Sequence, residues 1–299
     1  MEFKIAHWSD SHNSPEIAHT LRVLNKLAVN LKIHTGDAVR DYFSNDISDT
    51  HLETSLFSIG NHERYKTFAE GFTNPPSQGE LYTKFIDPYK GSWGVTTNKT
   101  WYSKHFNDEN IEYISLDTCA ISEEEMKEQT QWLTETLERC LAAKTKVFLG
   151  SHELPVSPKY LQCNYSCDGY FIASGNFPDY QGRFNWYPLI NSLNELVDEY
   201  VIKGLRVLGW FYGHDHSDAL LVSRTPMKYP HIAVGSTTLD KYNNVSRITN
   251  ETSIINVYTY SDYYNTLKIE RLEGNSAFTG AFKRVTVFDY DTGNVTCQY

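Results

Sequence analysis

The chain has 299 residues, with 27 Lys and Arg against 37 Asp and Glu and a formal net charge of −10. Apolar residues make up 40% and charged residues 21%, with 17 Gly and 10 Pro, which excludes disordered, collagen-like and coiled-coil chains. The acidic balance argues against a grip on long nucleic acid, which needs many Lys/Arg–phosphate contacts. No apolar run approaches the roughly 18 residues of a membrane helix, so no membrane span is expected. The first five residues, Met-Glu-Phe-Lys-Ile, lack the basic-then-apolar pattern of a secretory leader. Five Cys make an odd count and no disulfide framework. A cytoplasmic, reducing compartment is therefore expected.

The first 60 residues read as strand, helix, strand, strand. An apolar β-favouring run at 3–8 ends in the polar turn Ser9-Asp10-Ser11-His12-Asn13. Pro15 opens a helical pattern, with Ile17, Leu21, Leu24, Leu27, Ala28 and Leu31 recurring at three and four. Strands follow at 31–34, ending in Thr35-Gly36-Asp37, and at 55–59, ending in Gly60-Asn61-His62-Glu63. Residues 64–110 read as long surface loops with one short helix. A strand is expected at 111–116, then a helix with Ser122 as N-cap and Glu125 at its third position. A strand at 146–149 ends in Gly150-Ser151-His152.

Residues 153–185 form a second insertion, rich in Tyr, Phe, Asn and Gly. An amphipathic helix at 187–201 precedes a strand at 207–212 that ends in Gly213-His214-Asp215-His216, and another strand follows at 231–234. Beyond residue 250 the pattern becomes a meander of short strands, with an Asp-Thr-Gly-Asn hairpin signal around Gly293. The expected organisation is a core over 1–250, with insertions at 64–110 and 153–185, and a C-terminal β extension over 251–299 packed on it. Strand–helix alternation followed by a meander predicts a layered α/β protein.

Five short polar motifs each follow directly on an apolar β-run: Asp10-x-His12, Gly36-Asp37, Gly60-Asn61-His62-Glu63, His152 and Gly213-His214-Asp215-His216. In open α/β sheets, sites assemble beyond the carboxyl ends of strands. Carboxylate, amide oxygen and imidazole are metal-ligand types, and the lack of thiolates excludes a closed structural zinc site. The set divides between two ions: Asp10, His12 and His216 for one, and Asn61, His152 and His214 for the other. Asp37 bridges them. A pair ~3.5–4 Å apart suits in-line displacement at phosphorus, with a bridging hydroxide as nucleophile. The mixed N and O set accepts Mn, Fe or Zn.

These motifs resemble, in order, those of the calcineurin-like metallophosphoesterases (D-x-H, G-D, G-N-H-D/E, a lone H and G-H-x-H). The resemblance runs from Asp10 to His216. It implies a four-layer α/β/β/α sandwich and a two-metal phosphoesterase. It assigns the seven ligands as above and makes His62 a general acid that protonates the leaving oxygen. Arg40 stands where many relatives carry Asp or Tyr, so carboxylate support for His62 is expected from Asp41 or Glu63. The extended signature of serine/threonine protein phosphatases is absent.

Asn61, Arg64, Tyr170 and Arg183 are the expected substrate contacts. His7 and His34, inside strands, read as supporting core histidines. The expected substrate is a phosphate mono- or diester: a small molecule, a nucleotide or a cell-wall-type phosphodiester. The alternative is an inactive binding module on the same scaffold. All seven ligand positions are filled, which favours an enzyme.

Overall fold

A computed structural model describes residues 1–12, 17–44, 49–67, 69, 73–119, 122–153, 187–214, 219–223, 225–234, 255–272 and 282–298. Two sheets carry the fold. The first contains β1 (Glu2–Trp8), β2 (Leu31–His34) and β3 (Leu56–Phe57), which are mutually parallel. The second contains β4 (Tyr102–Phe106), β5 (Ile111–Ser115), β6 (Lys146–Gly150), β7 (Val207–Tyr212), β8 (Ala219–Val222) and β9 (Pro230–Ala233). It runs in the order β4-β5-β6-β7-β9-β8, with the central strands parallel.

The C-terminal strands are β10 (Ile255–Ser261), β11 (Thr266–Leu272), β12 (Phe282–Asp289) and β13 (Val295–Gln298). They extend the first sheet. β10 pairs antiparallel with β1, and the order is β13-β12-β11-β10-β1-β2-β3. Alternation explains the burial. Phe3, Ile5, Tyr258, Tyr260, Leu267 and Ile269 face the second sheet, where Phe148 and Phe211 meet them in one core.

Ala6, Trp8, Ile255 and Val257 face the other way and are covered by Val23 and Leu24 of α1 (Ile17–Leu24). The outer face of the second sheet is covered by α6 (Glu123–Ala142) and α7 (Tyr187–Ile202), through Met126, Leu133, Leu137, Leu193 and Val197. The layers are therefore α/β/β/α. Ser122 caps α6 as its sequence demands: its hydroxyl accepts the Glu125 N–H at 3.2 Å and the Glu125 carboxylate accepts the Ser122 N–H at 3.0 Å.

Residues 64–110 hold more regular structure than their composition suggests. The region contains α4 (Gln78–Leu81), a π turn at Tyr82–Ile86, α5 (Lys90–Trp93) and β4. Phe85, Ile86 and Trp93 are buried anchors whose polar spacing hides any helical period, and α5 packs near α2 (Asp49–Thr54) through the Trp93 Nε1–H to the Leu52 carbonyl at 2.6 Å. No described helix is long and apolar enough to cross a membrane. Cys119 and Cys140 are buried free thiols, whereas Cys297 on β13 is disulfide-bonded.

Candidate metal centre

The carboxyl ends of β1, β2 and β3 in one sheet, and of β6 and β7 in the other, open onto the same edge of the sandwich. Backbone bonds join their loops. Asp10 N–H donates to Gly36 O at 3.0 Å, His12 N–H to Asp37 O at 2.9 Å, and Gly213 N–H to His152 O at 3.0 Å. The two sheets are tied across the site as well. The Asp10 carboxylate accepts the His214 N–H at 3.1 Å, and the His152 ring faces the Thr35 carbonyl at 2.6 Å.

The close approach explains the glycines. A Cβ on Gly36, whose φ is +95°, would fall 2.5 Å from His152 Nδ1, and one on Gly60 would fall 2.3 Å from Asp37 Oδ1. Asp10, His12, Asp37 and His214 adopt left-handed backbone, with φ of 54°, 42°, 56° and 68°. Such strain costs on the order of 1–3 kcal/mol per residue and concentrates at functional sites. Here it turns four side chains off their strand ends toward one point.

Asp37 is the hub. It is 2% exposed. Its Oδ1 accepts the His62 N–H at 2.8 Å, and its Oδ2 faces Nε2 of His152 at 3.3 Å, of His62 at 3.8 Å and of His12 at 4.0 Å. Burial alone would raise its pKa, but the facing imidazoles of His152, His62 and His12 hold it well below the usual range.

Asn61 Oδ1 lies 2.9 Å from both His152 Nε2 and His214 Nδ1, which are 3.2 Å from each other. Because His152 Nδ1 must carry a proton to meet the Thr35 carbonyl, its Nε2 is a bare lone pair when the ring is neutral. That lone pair then points at two oxygens that are themselves acceptors. A cation among these atoms resolves such a meeting. Without metal the cation is a proton: burial would depress His152, but Asp37, then Asp10 and the Thr35 carbonyl, push it up to about 10. A divalent ion fits equally well, since bonds of about 2.0–2.2 Å place neighbouring ligand atoms about 2.9–3.5 Å apart.

Two groups of His and Asp close enough to hold an ion emerge among the described residues: Asp37, His152 and His214, and His12, Asp37 and His62. Asp10, Asn61 and the residues of both groups thus share one site. His216, Tyr170 and Arg183 lie outside the described residues.

The neighbouring side chains complete the picture. Glu63, fully buried, accepts from four backbone N–H groups: Asp37 at 3.0 Å, Ala38 at 2.8 Å, Val39 at 3.2 Å and Gly60 at 2.7 Å. It staples the Asp37 loop to the Asn61 loop. Burial and the Asp37 charge push its pKa up to about 7, against the pull of His152 and these N–H donors.

Support for His62 was expected from Asp41 or Glu63; the contact seen is with the main chain. The His62 Nδ1 meets the Arg40 backbone carbonyl at 2.7 Å. Since a carbonyl does this work, the residue type at position 40 is immaterial to it. Arg64, expected as a phosphate contact, pairs with a carboxylate. It is 2% exposed and its guanidinium binds Asp117 at 2.5 Å, within a buried group that includes Thr100. A buried Asp needs such a partner.

His7 bridges the Tyr258 hydroxyl and Thr35 Oγ1, at 3.0 and 2.9 Å, and His34 bridges Ser11 Oγ and Gly36 N–H, at 3.1 and 3.2 Å. Both brace the loops that carry ligands.

The architecture is that of the metallophosphoesterase-type sandwich. By structure, the chain is similar to a dimetal phosphatase from Danio rerio, with a TM-score of 0.56 at 14% identity, covering 96% of this chain and 99% of that one. It is also similar to the structure of PhoD, with a TM-score of 0.55 at 12% identity, covering 100% of this chain and 72% of that one. No family profile matches the sequence, and no curated protein matches it.

Proposed function

We propose that this protein is a phosphate-ester hydrolase, mono- or diesterase, that holds two divalent ions of the Mn, Fe or Zn class. The observation that carries this reading is the convergence of acceptor atoms on Asp37 Oδ2 and Asn61 Oδ1 from loops of both sheets. Asp37, Asn61, His152 and His214 would hold one ion. Asp37, Asp10 and His12, with His216, would hold the other. When bound, such ions supply Lewis acidity and a nucleophile at neutral pH.

The remaining chemistry belongs to the chain. His62 Nδ1 is fixed by the Arg40 carbonyl, which leaves Nε2 directed at the centre and 3.8 Å from Asp37. In its protonated form Nε2 donates to the departing ester oxygen, as a general acid. His62 is only partly buried, so an ester can reach it. Candidate substrates are small phosphate esters, nucleotides and cell-wall-type phosphodiesters.

The test is hydrolysis of aryl phosphate mono- and diesters by the purified protein with Mn, Fe or Zn. Metal-dependent turnover of one ester class supports the reading. Absence of turnover with every metal, in protein that binds them, contradicts it.

A further inference from the structure

Asn61 sits in a single helical turn, α3 (Asn61–Arg64), and Tyr65 follows four residues after it. That spacing places the two side chains on one face. The Asn61 Nδ2–H donates to the Tyr65 hydroxyl at 2.9 Å. The other end of the same amide, Oδ1, is the atom that faces His152 Nε2 and His214 Nδ1, each at 2.9 Å. An amide has two unlike ends of nearly the same shape. Turned about, it would present N–H groups to the centre, and N–H cannot ligate a cation. With Oδ1 inward, the outward N–H needs an acceptor, since a buried amide donor left unpaired is costly.

Tyr65 is well placed to supply it. Its backbone carbonyl accepts the Tyr42 N–H at 2.6 Å, which anchors its main chain to the 38–42 loop. Its ring packs against His62, with centroids 4.9 Å apart.

Resting on the metal-centre reading above, we propose that Tyr65 is a positioning residue. Its hydroxyl holds the Asn61 amide with Oδ1 turned toward His152 and His214, and so sets the affinity of that half of the centre for a divalent ion. It touches neither the ion nor the ester. Partners of this kind are worth about 10–100-fold in metal affinity.

The experiment titrates the full chain with Mn(II) alone and reads free Mn(II) by electron paramagnetic resonance, without substrate. Tyr65→Phe keeps the ring against His62 and removes only the hydroxyl. It is expected to weaken one Mn(II) site about tenfold. The decisive comparison is the same change in an Asn61→Ala background. With no amide there for the hydroxyl to hold, adding Tyr65→Phe is expected to change affinity by less than about twofold, far below the loss seen with Asn61 in place.

Unchanged Mn(II) affinity in Tyr65→Phe would overturn the proposal, as would an equal loss in both backgrounds, which would mean a merely structural role. Wild-type protein that takes up no Mn(II) would overturn the metal-centre reading along with it. Wild-type protein that binds Mn(II) but hydrolyses no ester would sink the hydrolase reading alone. The affinity pattern would still decide the role of Tyr65.

Discussion

The two halves of the centre are built differently. Around Asn61, His152 and His214 the ligand atoms already stand 2.9–3.2 Å apart. His152 there is fully buried. Around His12 and His62 the Nε2 atoms stand 4.0 and 3.8 Å from Asp37, with 16% and 17% of their side chains exposed. The first half is preorganised at coordination distance. The second is more widely spaced at His12 and more open to solvent, with His62 beside it as the acid and not a ligand. Preorganisation reduces the cost of binding. The account therefore assigns tight, slowly exchanging binding to the first half, and weaker binding and contact with substrate to the second.

The change expected to do most is at the hub both halves share. Asp37→Ala should abolish binding of both ions and lower turnover by at least about 10³-fold, because Lewis-acid stabilisation is worth several kcal/mol. Elemental analysis and ester hydrolysis would check this, and near-wild-type activity would refute the shared hub. His152→Ala breaks the symmetry of the comparison. It should empty the tight half and leave at most one ion per chain; two retained ions would show that the halves were assigned wrongly.

His62→Ala should leave metal content intact and slow esters of poor leaving groups by about 10²-fold, with less effect on aryl esters whose leaving groups need no proton. Equal slowing of both would remove His62 as the acid.

Glu63→Gln replaces an acceptor for four N–H groups with a side chain that carries donors of its own. We expect a loss of about 2–3 kcal/mol in stability, since charged hydrogen bonds are exchanged for a poorly satisfied buried set. Thermal unfolding would show it as a fall of several degrees, and an unchanged Tm would contradict the staple.

The last expected effect lies outside both halves and serves as their control. Burial lowers the pKa of His7 and of His231 to about 3, so both are neutral when folded. In the unfolded chain they protonate near about 6.5. The folded state then binds fewer protons, so their contribution is intact above about 6.5 and is lost as pH falls toward 3. Denaturant unfolding between pH 7 and 4 should show this decline, shallower by about one proton in His231→Phe. Identical slopes would contradict it.

What could be read from the residues, and what could not, follows from the same chemistry. Ligands at strand ends need short polar motifs after apolar runs, so Asp10, His12, Asp37, Asn61, His152 and His214 stood out. A strand as buried as β7 (Val-Leu-Gly-Trp-Phe-Tyr) carries an unbroken apolar signature, whereas an edge strand such as β4 (Tyr-Ser-Lys-His-Phe) and the short helix α2 do not.

The support of His62 was hidden because a backbone carbonyl has no residue signature. The burial of Arg64 was hidden because its partner Asp117 lies 53 positions away. The staple formed by Glu63 could not be told from ordinary motif acidity, since its partners are main-chain N–H groups. The Asn61–Tyr65 pair did have a signal, a four-residue spacing across a helical turn. That spacing gains meaning only once the orientation of the amide matters.

The most direct test of the central claim is a count of bound ions: Mn(II) titrated into metal-free protein, with bound and free ion measured separately. The account predicts two ions per chain, one held distinctly more tightly, and neither in Asp37→Ala. Binding of fewer than two ions, or binding that survives Asp37→Ala unchanged, would contradict it.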